Sequence, residues 1–113
     1  MEDLKNRTRN YALRIMKLYG TLPRRGASRV LGDQVLRSGT SVGAHYREAI
    51  RSRSPAEYAA KMNAGLMELE ETLYWLELLE YSGIVAAKKL TGLTDESNQL
   101  TAILVSLIKK AKR

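Results

Sequence analysis

Apolar residues return every three or four positions along almost the whole chain, and nowhere do they alternate as they would in a strand. Leu4, Thr8, Tyr11, Ile15, Leu18 and Leu22 step by four and three, placing one packed face on a helix over residues 3–19. Gly20, Pro23 and Gly26 break that run and leave Arg24-Arg25 in a connection. A second helix is predicted over 27–52, with Leu31, Val35, Ser38, Val42, His45 and Ala49 on its face. Ser54-Pro55-Ala56-Glu57 then reads as a cap, a first-turn proline and the glutamate of a capping box. It opens a helix over 55–82 that Gly83 is placed to end in a left-handed turn. Tyr58, Met62, Gly65, Leu69, Thr72, Leu76 and Leu79 form its face. The fourth helix, over 85–111, carries Ala86, Leu90, Leu93, Ser97, Leu100, Leu104, Leu107 and Ala111. Gly92 and Thr94-Asp95 predict a kink or a late start near Thr94. Four amphipathic helices with a shared period near 3.5 and short connections imply an all-α, antiparallel up-down-up-down four-helix bundle with left-handed crossings.

At 113 residues, 44% hydrophobic and 27% charged, the chain is expected to be a single soluble domain over 1–113. It has no cysteine, which excludes a disulfide framework, a thiolate zinc site and a cysteine nucleophile. There is no phosphate loop, and a single histidine supports neither a serine triad nor a carboxylate di-iron cage. Hence no catalytic residue, metal ligand or cofactor is assigned, and a non-enzyme is expected. The start, Met1 to Arg7, is too charged for a secretory signal. Ser97–Ile108, the longest uncharged run, falls short of the ~20 residues a bilayer demands. A cytoplasmic protein with no membrane partner is expected.

Charge is unevenly spread within a net +7. Residues 1–53 hold twelve Lys/Arg against four Asp/Glu, 54–83 hold one against six, and 84–113 hold six against two. A basic excess favours polyanions, while the acidic third helix suggests neutralisation within the fold or between subunits.

Arg37–Glu48 gathers Ser38, Gly39, Thr40, Ser41, Gly43 and Ala44 in the middle of the second helix. Such a run weakens a lone helix, since Gly costs ~1 kcal/mol relative to Ala. Its use is therefore tertiary: Gly39 and Gly43, with Gly65 on the third helix, are read as points of close helix packing. Pairing the second and third helices about the Arg53-Ser54 turn brings Arg37 level with Glu68 and Glu71, predicting a partly buried structural ion pair. His45 and Glu48 are one turn apart; an ordinary buried, hydrogen-bonded histidine stands against a ring of symmetry-related metal ligands. Tyr74-Trp75, at the edge of the apolar face, suits burial in the protomer or an anchor in a subunit interface equally well. Arg24, Arg25, Arg29, Arg47, Arg51 and Arg53 are the candidate phosphate contacts; the bland alternative is a solvated charged face.

Leu31-Gly-Asp-Gln34, Leu36-Arg-Ser-Gly-Thr-Ser-Val-Gly-Ala44, Tyr46-Arg-Glu-Ala49 and Glu68-Leu-Glu-Glu-Thr-Leu-Tyr-Trp-Leu-Glu-Leu-Leu79 resemble the signature of the bacterial four helix bundle protein family. That family includes proteins encoded in intervening sequences of 23S ribosomal RNA genes. The resemblance spans roughly residues 5–110 and departs at His45, where the family pattern has Asn. More distantly, the chain is similar to the accessory protein of diversity-generating retroelements. The resemblance implies a ring-shaped homopentamer with a basic surface; its distant branch implies nucleic-acid binding and docking to a reverse transcriptase or another nucleic-acid enzyme. Two functions are thus expected to compete: an oligomeric scaffold binding RNA or DNA without sequence preference, and a protein–protein adaptor that docks an acidic partner and no nucleic acid.

Overall fold

The computed structural model describes residues 3–112 and contains four helices: α1 (Leu4–Thr21), α2 (Gly26–Ile50), α3 (Pro55–Tyr81) and α4 (Ala87–Ala111). Met1, Glu2 and Arg113 lie outside the described residues. The helices pack in chain order, with α2 against α3 the most extensive contact and α4 meeting α1 only sparingly. The result is an elongated bundle of 44 × 22 × 21 Å.

Local chemistry accounts for the helix limits. Asp3 caps α1 through the Lys5 amide at 3.0 Å. Ser54 caps α3 through the Glu57 amide at 3.1 Å, while the Glu57 carboxylate reaches back to the Arg53 amide at 3.4 Å, one residue before the usual partner in a capping box. Gly83 adopts φ +80° just past α3, and the Val85 amide returns to the Leu79 carbonyl at 3.1 Å. Two expected breaks do not occur. Gly20 lies inside α1, which ends only at Leu22-Pro23, and α4 runs unbroken from Ala87 through Gly92 and Thr94-Asp95. A glycine penalty of ~1 kcal/mol is small beside the burial of Leu90, Leu93, Leu100 and Leu104 on one face.

The core follows the 4–3 spacing, with the drift expected of a 3.6-residue turn. Val35, Val42 and Ala49 are buried in α2, and Met62, Leu69, Leu76 and Leu79 in α3. At the ends the face rotates: Val85 is buried and Ala86 exposed, and Ile108 replaces Leu107 as the last buried residue of α4.

Midway along the core each helix supplies one hydroxyl to a buried pair across the bundle. Tyr11 of α1 bonds to Ser97 of α4, and Ser38 of α2 to Thr72 of α3 at 2.7 Å. Ser97 Oγ donates to the Leu93 carbonyl and Thr72 Oγ1 to the Glu68 carbonyl, so Tyr11 and Ser38 are the donors in their pairs. Every hydroxyl proton has a destination, which removes the cost of burying these groups. Burial nonetheless pushes the Tyr11 phenol up to about 12, with the Ser97 and Thr72 hydrogen bonds pulling the other way.

Candidate functional site

The α2–α3 seam carries an ionic ladder. Arg37 donates through Nη1 to both Glu68 oxygens at 3.2 Å and through Nη2 to Glu71 at 2.7 Å. The Arg37 side chain is 49% exposed, so this clamp lies at the surface edge of the seam rather than within the core. Two turns further along α2, His45 Nδ1 lies 3.0 Å from Glu48 and Nε2 3.6 Å from Glu68, and Lys61 lies 3.9 Å from Glu48. His45 is therefore half-buried at the seam, not a core histidine as its heptad position suggested. The reason is chemical: both imidazole nitrogens find carboxylates only at the seam, one on its own helix and one on α3. Among the described residues no group of His, Asp and Glu side chains is arranged to hold a metal ion.

Of the small residues, Gly39 and Gly43 face α1. An ideal Cβ on Gly39 would stand 2.7 and 2.9 Å from Ile15 side-chain carbons, and one on Gly43 3.1 Å from Thr8 Oγ1. Gly39 thus sets how closely α1 and α2 approach. Gly65 differs: a Cβ there would meet His45, Leu104 and the Val42 carbonyl all at 3.6 Å, ordinary contact with room to spare.

The six singled-out arginines are all exposed, and none makes an ion pair among the described residues. They form two groups. Arg24, Arg25 and Arg29 surround the α1–α2 connection; Arg47, Arg51 and Arg53 surround the α2–α3 connection at the other end of the bundle. Arg29 and Arg47 are about 27 Å apart along the axis at ~1.5 Å per residue. Lys109, Lys110 and Lys112 end α4 at the same end as Arg47 and Arg51.

Beside the first group is a cleft of about 350 Å³ lined by Tyr19, Leu22, Arg24, Ser28, Arg29 and Asp33, among others. The Arg24 guanidinium lies over the Tyr19 ring at 5.6 Å, and the Tyr19 hydroxyl donates to Asp33 at 3.2 Å. Gly32 forms part of its floor, because a Cβ there would press to 3.2 Å from Leu22. The sequence reading missed Ser28, Gly32, Tyr19 and Asp33. The only available signal was Gly-Ala-Ser after two arginines at a helix start.

On the outward side of α3, Met67, Tyr74 and Tyr81 recur every seven residues and stay exposed, Tyr81 at 78%. With Leu69 and Leu76 inward, α3 is apolar on two sides, the pattern of a helix that meets more than one partner. Trp75 packs against the core, its ring 5.2 Å from that of Tyr74 and tilted by 50°. Its buried Nε1 has no hydrogen-bond partner. None of the described helices is long and apolar enough to cross a membrane.

Fold and site together define a small antiparallel four-helix bundle with paired carboxylates along one seam and unpaired arginines at both ends. The family model for the 23S rRNA-intervening sequence protein matches residues 3–106, and the chain belongs to that family. Its fold is similar to the crystal structure of a protein of unknown function from the S23 ribosomal protein family of Bacteroides thetaiotaomicron. That likeness has a TM-score of 0.87 and 34% identity, covering 95% of this chain and 99% of the other. The comparison with functionally curated proteins gave no match.

Proposed function

We propose that the protein is a non-enzymatic, oligomeric scaffold that binds nucleic acid through its arginines without reading sequence, RNA or an RNA–protein complex being the favoured target. The observation that carries this reading is the division of charge. Glu48, Glu68, Glu71 and Glu96 are occupied by His45, Lys61, Arg37 and Arg7, and the unpaired Glu70, Glu77 and Glu80 line a cleft along α3, whereas Arg24, Arg25, Arg29, Arg47, Arg51 and Arg53 gather exposed and unpaired at the two ends of the bundle. Solvated guanidinium groups at two poles suit phosphates spaced along a strand, and a ring of copies, a homopentamer by family resemblance, would multiply the contacts. The Met67-Tyr74-Tyr81 stripe supports such self-association.

That same stripe favours the competing reading, a protein–protein adaptor, because exposed aromatics anchor protein interfaces, while an acidic partner would be met by the arginines. Salt-titrated binding to RNA and duplex DNA separates the two. The scaffold reading expects affinity for both that falls steeply and linearly in log–log form with salt, without sequence preference. No binding at low ionic strength would remove it in favour of the adaptor.

A further inference from the structure

We propose that the cleft at the N-terminus of α2 is a discrete phosphate-binding site, formed by Ser28, the first-turn amides of α2, Arg24 and Arg29. Three independent features converge there. First, α2 begins without a side-chain cap: Arg25 occupies the cap position, and the first intrahelical bond is the one from the Arg29 amide to the Arg25 carbonyl. The amides of Gly26, Ala27 and Ser28 therefore end the helix dipole with donors free for an anion. Second, Ser28 is only 6% exposed, lines the cleft, and its Oγ is buried with no hydrogen-bond partner. A buried hydroxyl without a partner is costly unless something enters to receive its proton. Third, Arg24 and Arg29 line the same cleft, and neither is engaged by a carboxylate.

Asp33 is the one acidic group in the lining and opposes an anion. Its carboxylate accepts from the Tyr19 hydroxyl at 3.2 Å, at the edge of the ring whose face Arg24 covers. Two guanidinium groups and a helix N-terminus outweigh one carboxylate, so the cleft selects an anion over a cation. Tetrahedral oxygens can take amide, hydroxyl and guanidinium donors together, which is the geometry of a phosphate rather than a planar carboxylate. The ligand chemistry is a phosphate group, whether a free phosphate, the terminal phosphate of a strand or an internal phosphodiester. Only the choice among these rests on the nucleic-acid reading above.

The test is a ¹⁵N-resolved NMR titration of the whole chain with inorganic phosphate, ionic strength held constant with chloride. The expected result is saturating shifts of the Gly26, Ala27 and Ser28 amides. Ser28→Ala should weaken binding about tenfold, the loss of one hydrogen bond to a charged acceptor. It should leave melting without phosphate unchanged or slightly raised, because the hydroxyl has no structural partner. Arg24→Gln with Arg29→Gln should weaken binding at least as much, and Arg47→Gln with Arg51→Gln at the opposite end should not. Non-saturating shifts spread over all arginine-bearing segments, or full affinity in Ser28→Ala, would overturn the site. Oligonucleotides with and without a 5′-phosphate then compete against bound phosphate. Displacement by both assigns internal diesters, and displacement by the phosphorylated form alone assigns strand ends. Displacement by neither upholds a site for free phosphate and takes this cleft out of the nucleic-acid reading, which the salt titration tests separately.

Discussion

Two buried glycines, both in the middle of long helices, should respond to the same substitution with opposite sign. Gly39→Ala places a methyl group 2.7 and 2.9 Å from carbons of Ile15, which is fully buried. Those carbons branch from Cβ, so no rotation of a flexible chain end relieves the contact. Overpacking costs about 1–3 kcal/mol, and replacing a helical glycine returns about 1 kcal/mol. Two carbons inside 3 Å put this site in the upper half of that range, for a net loss of about 1–2 kcal/mol. Gly65→Ala instead meets its neighbours at 3.6 Å, so the propensity gain of about 0.5–1 kcal/mol survives.

With an unfolding entropy of ~2.1 cal/mol/K per residue, a chain of this length shifts its Tm by about 4 °C per kcal/mol. Thermal melts at one fixed protein concentration should show Gly39→Ala lowered by about 4–8 °C and Gly65→Ala raised by about 2–4 °C. A double-mutant cycle locates the cause. Ile15→Ala removes all three clashing carbons, so its own cavity cost should shrink by at least about 1 kcal/mol in the Gly39→Ala background. An unchanged or raised Tm for Gly39→Ala, or strict additivity with Ile15→Ala, would refute the claim that α1–α2 spacing is set at Gly39.

Gly43→Leu should overpack the same seam against Thr8 and cost about 1–3 kcal/mol, read as a lowered Tm. Tyr11 supplies a pH prediction. Its phenol ionises near 10 when unfolded and at about 12 in the bundle, so the folded state holds the proton more tightly. The associated stability is complete below pH 10 and lost as pH rises towards 12. Unfolding free energies of the wild type from denaturant melts should therefore fall more steeply across that window than those of Tyr11→Phe, by an amount approaching about 3 kcal/mol. Equal slopes would show the phenol is not buried in solution. Arg37→Ala should cost no more than about 1 kcal/mol at low salt and less in molar salt, because the clamp is half exposed. A larger, salt-independent loss in denaturant melts would contradict that placement.

What the sequence made legible is the membership of each face. Tyr11, Ser38, Thr72 and Ser97 all stand on the 4–3 stripes, yet nothing in the spacing says that they pair across the bundle. That pairing depends on the axial register of four helices, a tertiary quantity. The same limit applies to the glycines. Gly39 and Gly65 look alike in the chain, but one faces a β-branched side chain at close range and the other a gap. His45 sits on the stripe by count and leaves it by chemistry, because its partners Glu48 and Glu68 lie at the seam. Ser28 escaped notice for the opposite reason: a serine near a helix start is expected to cap or to be solvated. Only the burial of its hydroxyl, with no acceptor in reach, distinguishes it. Periodicity reports which residues turn inward; whether an inward polar group is satisfied depends on what the neighbouring helix brings to the same height. At Tyr11, Ser38, Thr72 and Ser97 the neighbour brings a partner, and at Ser28 it brings none, beside a cleft that Arg24 and Arg29 line.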